Sequence, residues 1–285
     1  MAFTFEKGNS MNIRVVGTAI VAVGFMFFGI AKAADFPAGS TMEAIHKKGK
    51  LVVGTSLKLS GFSMQNPVTD TTEGFEIDLA RYLAEKLTGS ADNVEFVAVI
   101  SQNRLAFVQT GRVDVALDTV TISDARKKIV GFAGPYFLAG QDVLLAKDNR
   151  TIHSVSDLNN QSVCVVTGTD DGVNLLKVAP QAKLFSLADK NSCAEAVADG
   201  RYVAEVDDSA LLEPLAKLQP AKLKMLGKPF TTEPYGIVVK VDDTVFRNWI
   251  NTQLEQSIKD GTWMKSYNKN LRDFGAARIP VVDRY

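Results

Sequence analysis

Histidine, cysteine and tryptophan each occur only twice in the 285 residues. His46 and His153 are far apart, and no Cys accompanies either, so no metal-ligand spacing is legible. There is no Gly-x-Ser-x-Gly elbow and no phosphate-binding glycine loop. No nucleophile–base pair can be read, and nothing calls for a cofactor. Charge of one sign is missing as well: 32 basic residues balance 32 acidic ones. That removes the basic excess a nucleic-acid surface needs. Long apolar runs stop at Ile30, so no bundle of membrane spans is expected.

The one long apolar run is Val15–Ile30, with Arg14 before it and Ala31-Lys32-Ala33 after it. A positive residue, an apolar core and a small-x-small site read as a secretory signal over 1–33, with Ala34 as the new N-terminus. Met11 is an alternative start. No Cys follows the run, which argues against a lipid anchor. Removing 1–33 leaves a slight acidic excess. In an exported chain the lone pair Cys164 and Cys193 suggests a disulfide, two buried thiols being the alternative.

The remaining chain alternates strands and helices. Gly74–Leu87 carries Leu79, Leu83 and Leu87 on one helical stripe, with Glu76 and Asp78 in the first turn, where acids suit the helix dipole. Strands are expected at Leu51–Gly54, Val94–Ile100 and Val113–Asp118, with a helix over Asn103–Thr110 between the last two. That β-α-β-α-β order implies a parallel sheet with ligand chemistry at its strand ends. After Gly134–Gly140 the pattern repeats: strands at 141–146, 163–166, 183–186, 202–206 and 223–226, helices at 172–178, 193–199 and 209–218. Gly227–Tyr235 reads as a return, followed by a strand at 236–240 and a long helix over Asp243–Asp260. Two similar halves and two crossings suggest two lobes around a closing cleft.

Gly-Phe-Glu-Ile-Asp-Leu at 74–79, followed at fixed spacing by Leu83-Ala84 and Leu87, matches the signature of the family 3 solute-binding proteins, the extracytoplasmic amino-acid receptors of ABC importers. The chain resembles that family from about Ala34 to its end. The resemblance implies an α/β, type II periplasmic-binding-protein fold. It would have two lobes, 34–140 plus 234–285 and 141–233, each a mixed, mostly parallel sheet flanked by helices. It also implies a periplasmic monomer that hands an amino acid to a separate permease and ATPase, with no nucleic-acid partner.

Site residues follow residue by residue. Thr119-Val120-Thr121-Ile122-Ser123-Asp124-Ala125-Arg126 matches the family pattern whose Arg clamps the ligand α-carboxylate; a guanidinium at a helix start suits that role. Thr119 and Thr121 would add a carbonyl and a hydroxyl. Asp208, eight residues after Gly200, would take the ammonium, with Asp207 expected to face the other way. Gly168-Thr169 resembles the turn that completes the carboxylate site, but Asp170 replaces a Thr there. It either pairs with a cation or caps the next helix. Ser101 and Arg104 resemble the side-chain clamp of glutamate/aspartate-binding members, and Lys190 falls where those carry a His. Ser56, Leu59 and Ser101 stand where basic- or polar-amino-acid binders carry an acid and two aromatics. The expected ligand is therefore glutamate or aspartate, with glutamine or another polar amino acid as the alternative. An exported enzyme resembling cyclohexadienyl dehydratase, using Glu205, Asp118 or Asp170 as its acid, and a sensor input protein are the rivals.

Overall fold

The computed structural model describes residues 1–2, 36–274 and 277–284. Residues 3–33 of the expected signal segment, with its cleavage site, lie outside the described residues.

In chain order the elements are α1 Thr41–Lys48, β1 Leu51–Thr55, β2 Lys58–Leu59, β3 Ser63–Gln65, β4 Thr72–Glu73, α2 Phe75–Thr88, β5 Val94–Ala98, α3 Arg104–Gln109, β6 Val115–Ala116, α4 Asp124–Lys127 and β7 Gly131–Ala139. The chain continues with β8 Gln141–Ala146, β9 Ser162–Val166, α5 Asp171–Val178, β10 Lys183–Leu187, α6 Lys190–Ala198, β11 Ala204–Asp208, α7 Ser209–Leu218 and β12 Leu223–Met225. It closes with β13 Glu233–Val239, α8 Thr244–Lys259 and α9 Thr262–Asn270.

Two five-stranded sheets share one plan. The first has the order β5-β1-β6-β13-β7, the second β10-β9-β11-β8-β12. In each, three parallel strands are followed by one antiparallel strand, β13 or β8, and a fifth that runs against it. The reversed strand in each sheet is the one that the chain enters from the other sheet. The two crossings lie side by side. Gly140 alone separates β7 from β8, and a Cβ on it would lie 2.6 Å from the carbonyl oxygen of Thr231 in the return segment. The Gln141 N–H donates to Thr231 Oγ1 at 2.9 Å, and the Phe230 N–H to the Gln141 carbonyl at 2.9 Å.

The leucine stripe of α2 is buried, and α2 ends at Gly89 with φ 85°, as the helix-stop rule expects. It packs into a core of Phe62, Phe75, Tyr136, Phe137, Tyr235 and Trp263, joined edge-on and stacked. The second sheet has its own aliphatic core, with Val143, Leu145, Val163, Leu175 and Val206. Cys164 on β9 and Cys193 on α6 form a disulfide with Cα atoms 5.6 Å apart, pinning that helix to the sheet.

The stretch Gly134–Gly140, expected to end the first pass through the first lobe, does so as the second half of β7, which runs through Pro135 beside β13 and stops at Ala139. The ladder shifts register between Tyr235 and Ile237, so Pro135 faces no ladder partner and its missing N–H costs nothing. Two expectations need correction. The strand expected at 113–118 is paired only over Val115–Ala116. The helix expected from Cys193 begins at Lys190, because Asp189 caps it by accepting from the Ser192 N–H.

Candidate functional site

Arg126 sits in the short helix α4 and is 7% exposed. Its Nη1 donates to the Thr121 carbonyl at 3.0 Å, and its Nη2 to the Gly168 carbonyl at 3.3 Å, across from the second sheet. Gly168 has φ 88°, and a Cβ there would lie 2.6 Å from Cα of Gln102, so only glycine fits this close approach. Asp170 Oδ2 lies 3.0 Å from Arg126 Nη1. Asp170 occupies the N-cap position of α5, yet its side chain makes no capping hydrogen bond. Of the two expectations for Asp170, pairing with a cation is the one observed. Burial, then the neighbouring Arg104, holds the Arg126 pKa below the ordinary guanidinium value, while Asp170, Asp171 and Asp208 oppose that shift.

Arg104 opens α3 and is 4% exposed. Its Nη1 donates to the Asp118 carbonyl and lies 3.4 Å from Asp118 Oδ2. Asp118 Oδ1 accepts from the Ser56 N–H at 2.8 Å. Burial pushes the Asp118 carboxyl up to about 6 despite Arg104. Beneath it lies Glu76, fully buried rather than a solvated first-turn acid. Glu76 Oε1 accepts from the Thr119 N–H at 2.6 Å and from the Tyr136 hydroxyl, and burial, then Asp118, pushes its carboxyl up to about 7. Thr119 thereby holds a left-handed φ of 49°.

Three carboxylates, Asp171, Asp207 and Asp208, bring one oxygen each within 4.8 Å of one another. Asp208 ends β11 and accepts from the Tyr235 hydroxyl at 2.5 Å. Asp171 accepts from Gln141 Nε2 at 2.8 Å. Lys190 Nζ lies 3.8 Å from Asp207 Oδ2, an ion pair too long for a hydrogen bond. Burial, then Asp207, pushes Asp208 up to about 8. Burial, then Asp207, also raises Asp171 and Glu205 well above the usual carboxylate range. Asp207 does not face away as strand alternation suggested. Both aspartates line the same small space at the end of β11, where Asp208 is also the N-cap residue of α7.

The predicted residues converge. Ser101, Arg104, Thr119, Thr121, Arg126, Thr169, Lys190 and Asp208 line one small space, which adjoins a cavity of about 260 Å³ through shared Ser101, Arg104, Thr119 and Lys190. Ser56, Lys58 and Leu59 line that larger cavity. Thr169 Oγ1 is spent on the Val166 carbonyl at 2.7 Å, and the Thr121 carbonyl on Arg126. His46 lies outside, its Nδ1 2.7 Å from the Leu87 carbonyl. Sequence reasoning missed Glu76, Tyr136, Asp171 and Tyr235. Glu76 left one signal: it stands with Ala80, Leu83 and Leu87 on the buried side of α2, a spacing a solvated acid would not share.

The sequence profile of the bacterial extracellular solute-binding proteins, family 3, matches residues 51–273. The chain belongs to this family. A glutamine-binding protein of Geobacillus stearothermophilus is 38% identical over 209 residues, 73% of this chain and 79% of that one. The glutamate/aspartate import solute-binding protein of Escherichia coli is 29% identical over 270 residues, covering 91% of this chain and 89% of that one. Among solved structures, a solute receptor for L-cysteine of Neisseria gonorrhoeae superposes with a TM-score of 0.77 at 30% identity, covering 82% of this chain and 94% of that one. The paired mixed sheets are thus the type II periplasmic-binding-protein fold.

Proposed function

We propose that the chain is the periplasmic receptor of an ABC importer for a polar amino acid with an uncharged side chain, glutamine being the reference ligand. The observation that carries this reading is the charge pairing in the site. Arg104 faces Asp118, Arg126 faces Asp170 and Lys190 faces Asp207, which leaves Asp171 and Asp208 with neutral donors only. An α-ammonium supplies the cation these two acids lack. The α-carboxylate goes to Arg126. Arg104 beside Asp118 offers a donor and an acceptor together, the complement of a carboxamide. A second ligand carboxylate would meet cations already neutralised and Asp118 close by.

Glutamate or aspartate is the second reading, kept by Ser101, Arg104 and Lys190 on the cavity wall. An exported enzyme has less support, since the relatives above are named for binding or reception. Capture proceeds without chemistry. The lobes 34–140 plus 234–285 and 141–233 close about the paired crossings at Gly140 and Thr231, and the closed shape engages the permease.

A thermal-shift panel on the chain from Ala34, refolded and mixed with amino acids and dicarboxylates, tests this. A ligand at a thousandfold its Kd stabilises by about 4 kcal/mol. Glutamine is expected to give the large shift. A larger shift with glutamate overturns the side-chain reading and keeps the receptor; no shift with any amino acid overturns both.

A further inference from the structure

We propose that Asp170 sets the affinity and selectivity of the site by competing with the ligand's carboxylate for Arg126, and that it yields by swinging onto the N-terminus of α5. The inference rests on the amino-acid-receptor reading above.

The geometry is that of a carboxylate clamp already holding a carboxylate. Asp170 Oδ2 is 3.0 Å from Arg126 Nη1, with the Arg side chain 8% and the Asp side chain 27% exposed. The same guanidinium donates to the carbonyls of Thr121 and Gly168. The two carbonyls take two of the five N–H donors a guanidinium has, and Asp170 stands beside the guanidinium as an ion pair, its Oδ2 without a hydrogen bond. A ligand carboxylate arriving there either shares Arg126 with a fixed anion or displaces it.

Displacement has a destination on the same residue. Asp170 stands at the N-cap of an eight-residue helix, a position where Asp is among the favoured residues, and its side chain makes no capping hydrogen bond. A side-chain rotation that releases Arg126 can bring the carboxylate to the N–H groups of the first turn of α5, where the helix dipole favours an anion. Asp170 thus has two alternative partners, and the ligand decides between them. The competition weakens every ligand that uses Arg126 and leaves untouched any that does not. It also adds a fixed negative charge against a ligand bearing a second carboxylate.

The test compares the exported, purified wild type with Asp170→Asn and Asp170→Thr by titration calorimetry. The probes are glutamine, glutamate and γ-aminobutyramide, the amine left when glutamine loses its α-carboxyl group. Both variants are expected to bind glutamine about tenfold more tightly, to narrow the gap between glutamine and glutamate, and to bind γ-aminobutyramide no better than wild type does. Unchanged or weaker glutamine binding in both variants overturns the inference. So does equal tightening of glutamine and the amine, which would mark a general field effect of the lost charge. A wild type that binds neither glutamine nor glutamate overturns the receptor reading itself, and this inference with it.

Discussion

The hydroxyl of Tyr235, on β13 of the first sheet, donates at 2.5 Å to Asp208, at the end of β11 in the second. Both side chains are buried, and Asp208 Oδ1 has no protein partner. The bond opposes the burial that pushes the Asp208 carboxyl up. Tyr235→Phe therefore raises that pKa further and leaves less carboxylate for an ammonium. Hydrogen bonds to charged groups contribute about 1.5–3 kcal/mol. Titration calorimetry near neutral pH is expected to show glutamine binding at least about tenfold weaker, with far-UV circular dichroism unchanged.

Acidity gives a second expectation. Burial raises Asp118 to about 6, Glu76 to about 7 and Asp208 to about 8, each above its ordinary value. The folded chain then holds protons that the unfolded chain gives up. Stability contributed by these groups is fully present below their unfolded values and is lost as pH rises, between about pH 4 and pH 8. Denaturant midpoints without ligand should fall across that window, and Glu76→Gln should flatten the fall. Ligand binding works the other way at Asp208, since an ammonium favours the carboxylate. Binding near neutral pH should release a proton, seen as an enthalpy that changes with the ionisation enthalpy of the buffer.

Selectivity between amide and carboxylate should turn on Asp118. Its carboxylate stands beside Arg104 at the cavity wall. Asp118→Asn removes the anion and frees the guanidinium for a ligand carboxylate. The ratio of glutamate to glutamine affinity is expected to rise by about tenfold. An unchanged ratio would mean that the Arg104–Asp118 pair does not read the ligand side chain.

The disulfide offers a stability test away from the cavity. Cys164 and Cys193 are buried and 29 residues apart. Closing a loop of that length stabilises by about 3–4 kcal/mol on loop-entropy grounds. Replacing both by Ala should lower the melting midpoint by roughly 10 °C.

Much of the architecture could be read along the chain. The leucine stripe of α2, the strand at 141–146 and the long helix α8 stand where their periodicity placed them, because each repeats one local pattern over several turns or residues. The small sheet β2-β3-β4 was not legible, since strands of two or three residues carry no period. The full extent of β7 was not legible either, since Gly134-Pro135 interrupts its pattern and sits at a register shift against β13. In the site, motif and offset pointed to Arg126 and Asp208, and the fold brings both to one small space. Neither pointed to Asp171 or Tyr235, since Asp171 follows the Gly168-Thr169-Asp170 turn without matching any motif position and Tyr235 reaches the site only across the two sheets.

What the sequence determined by itself is local: alternating strands and helices, apolar stripes, helix stops, a lone pair of cysteines, and an Arg at a helix start after a strand. Each follows from residues a few positions apart. What only the tertiary structure decided is the choice of partners. Asp170 pairs with Arg126, Arg104 with Asp118, and Tyr235 with Asp208. Two of these pairings join elements of different sheets. They depend on distances of a few ångströms between side chains, and on which charges burial leaves without water, and neither is encoded in the spacing of residues along one strand or helix.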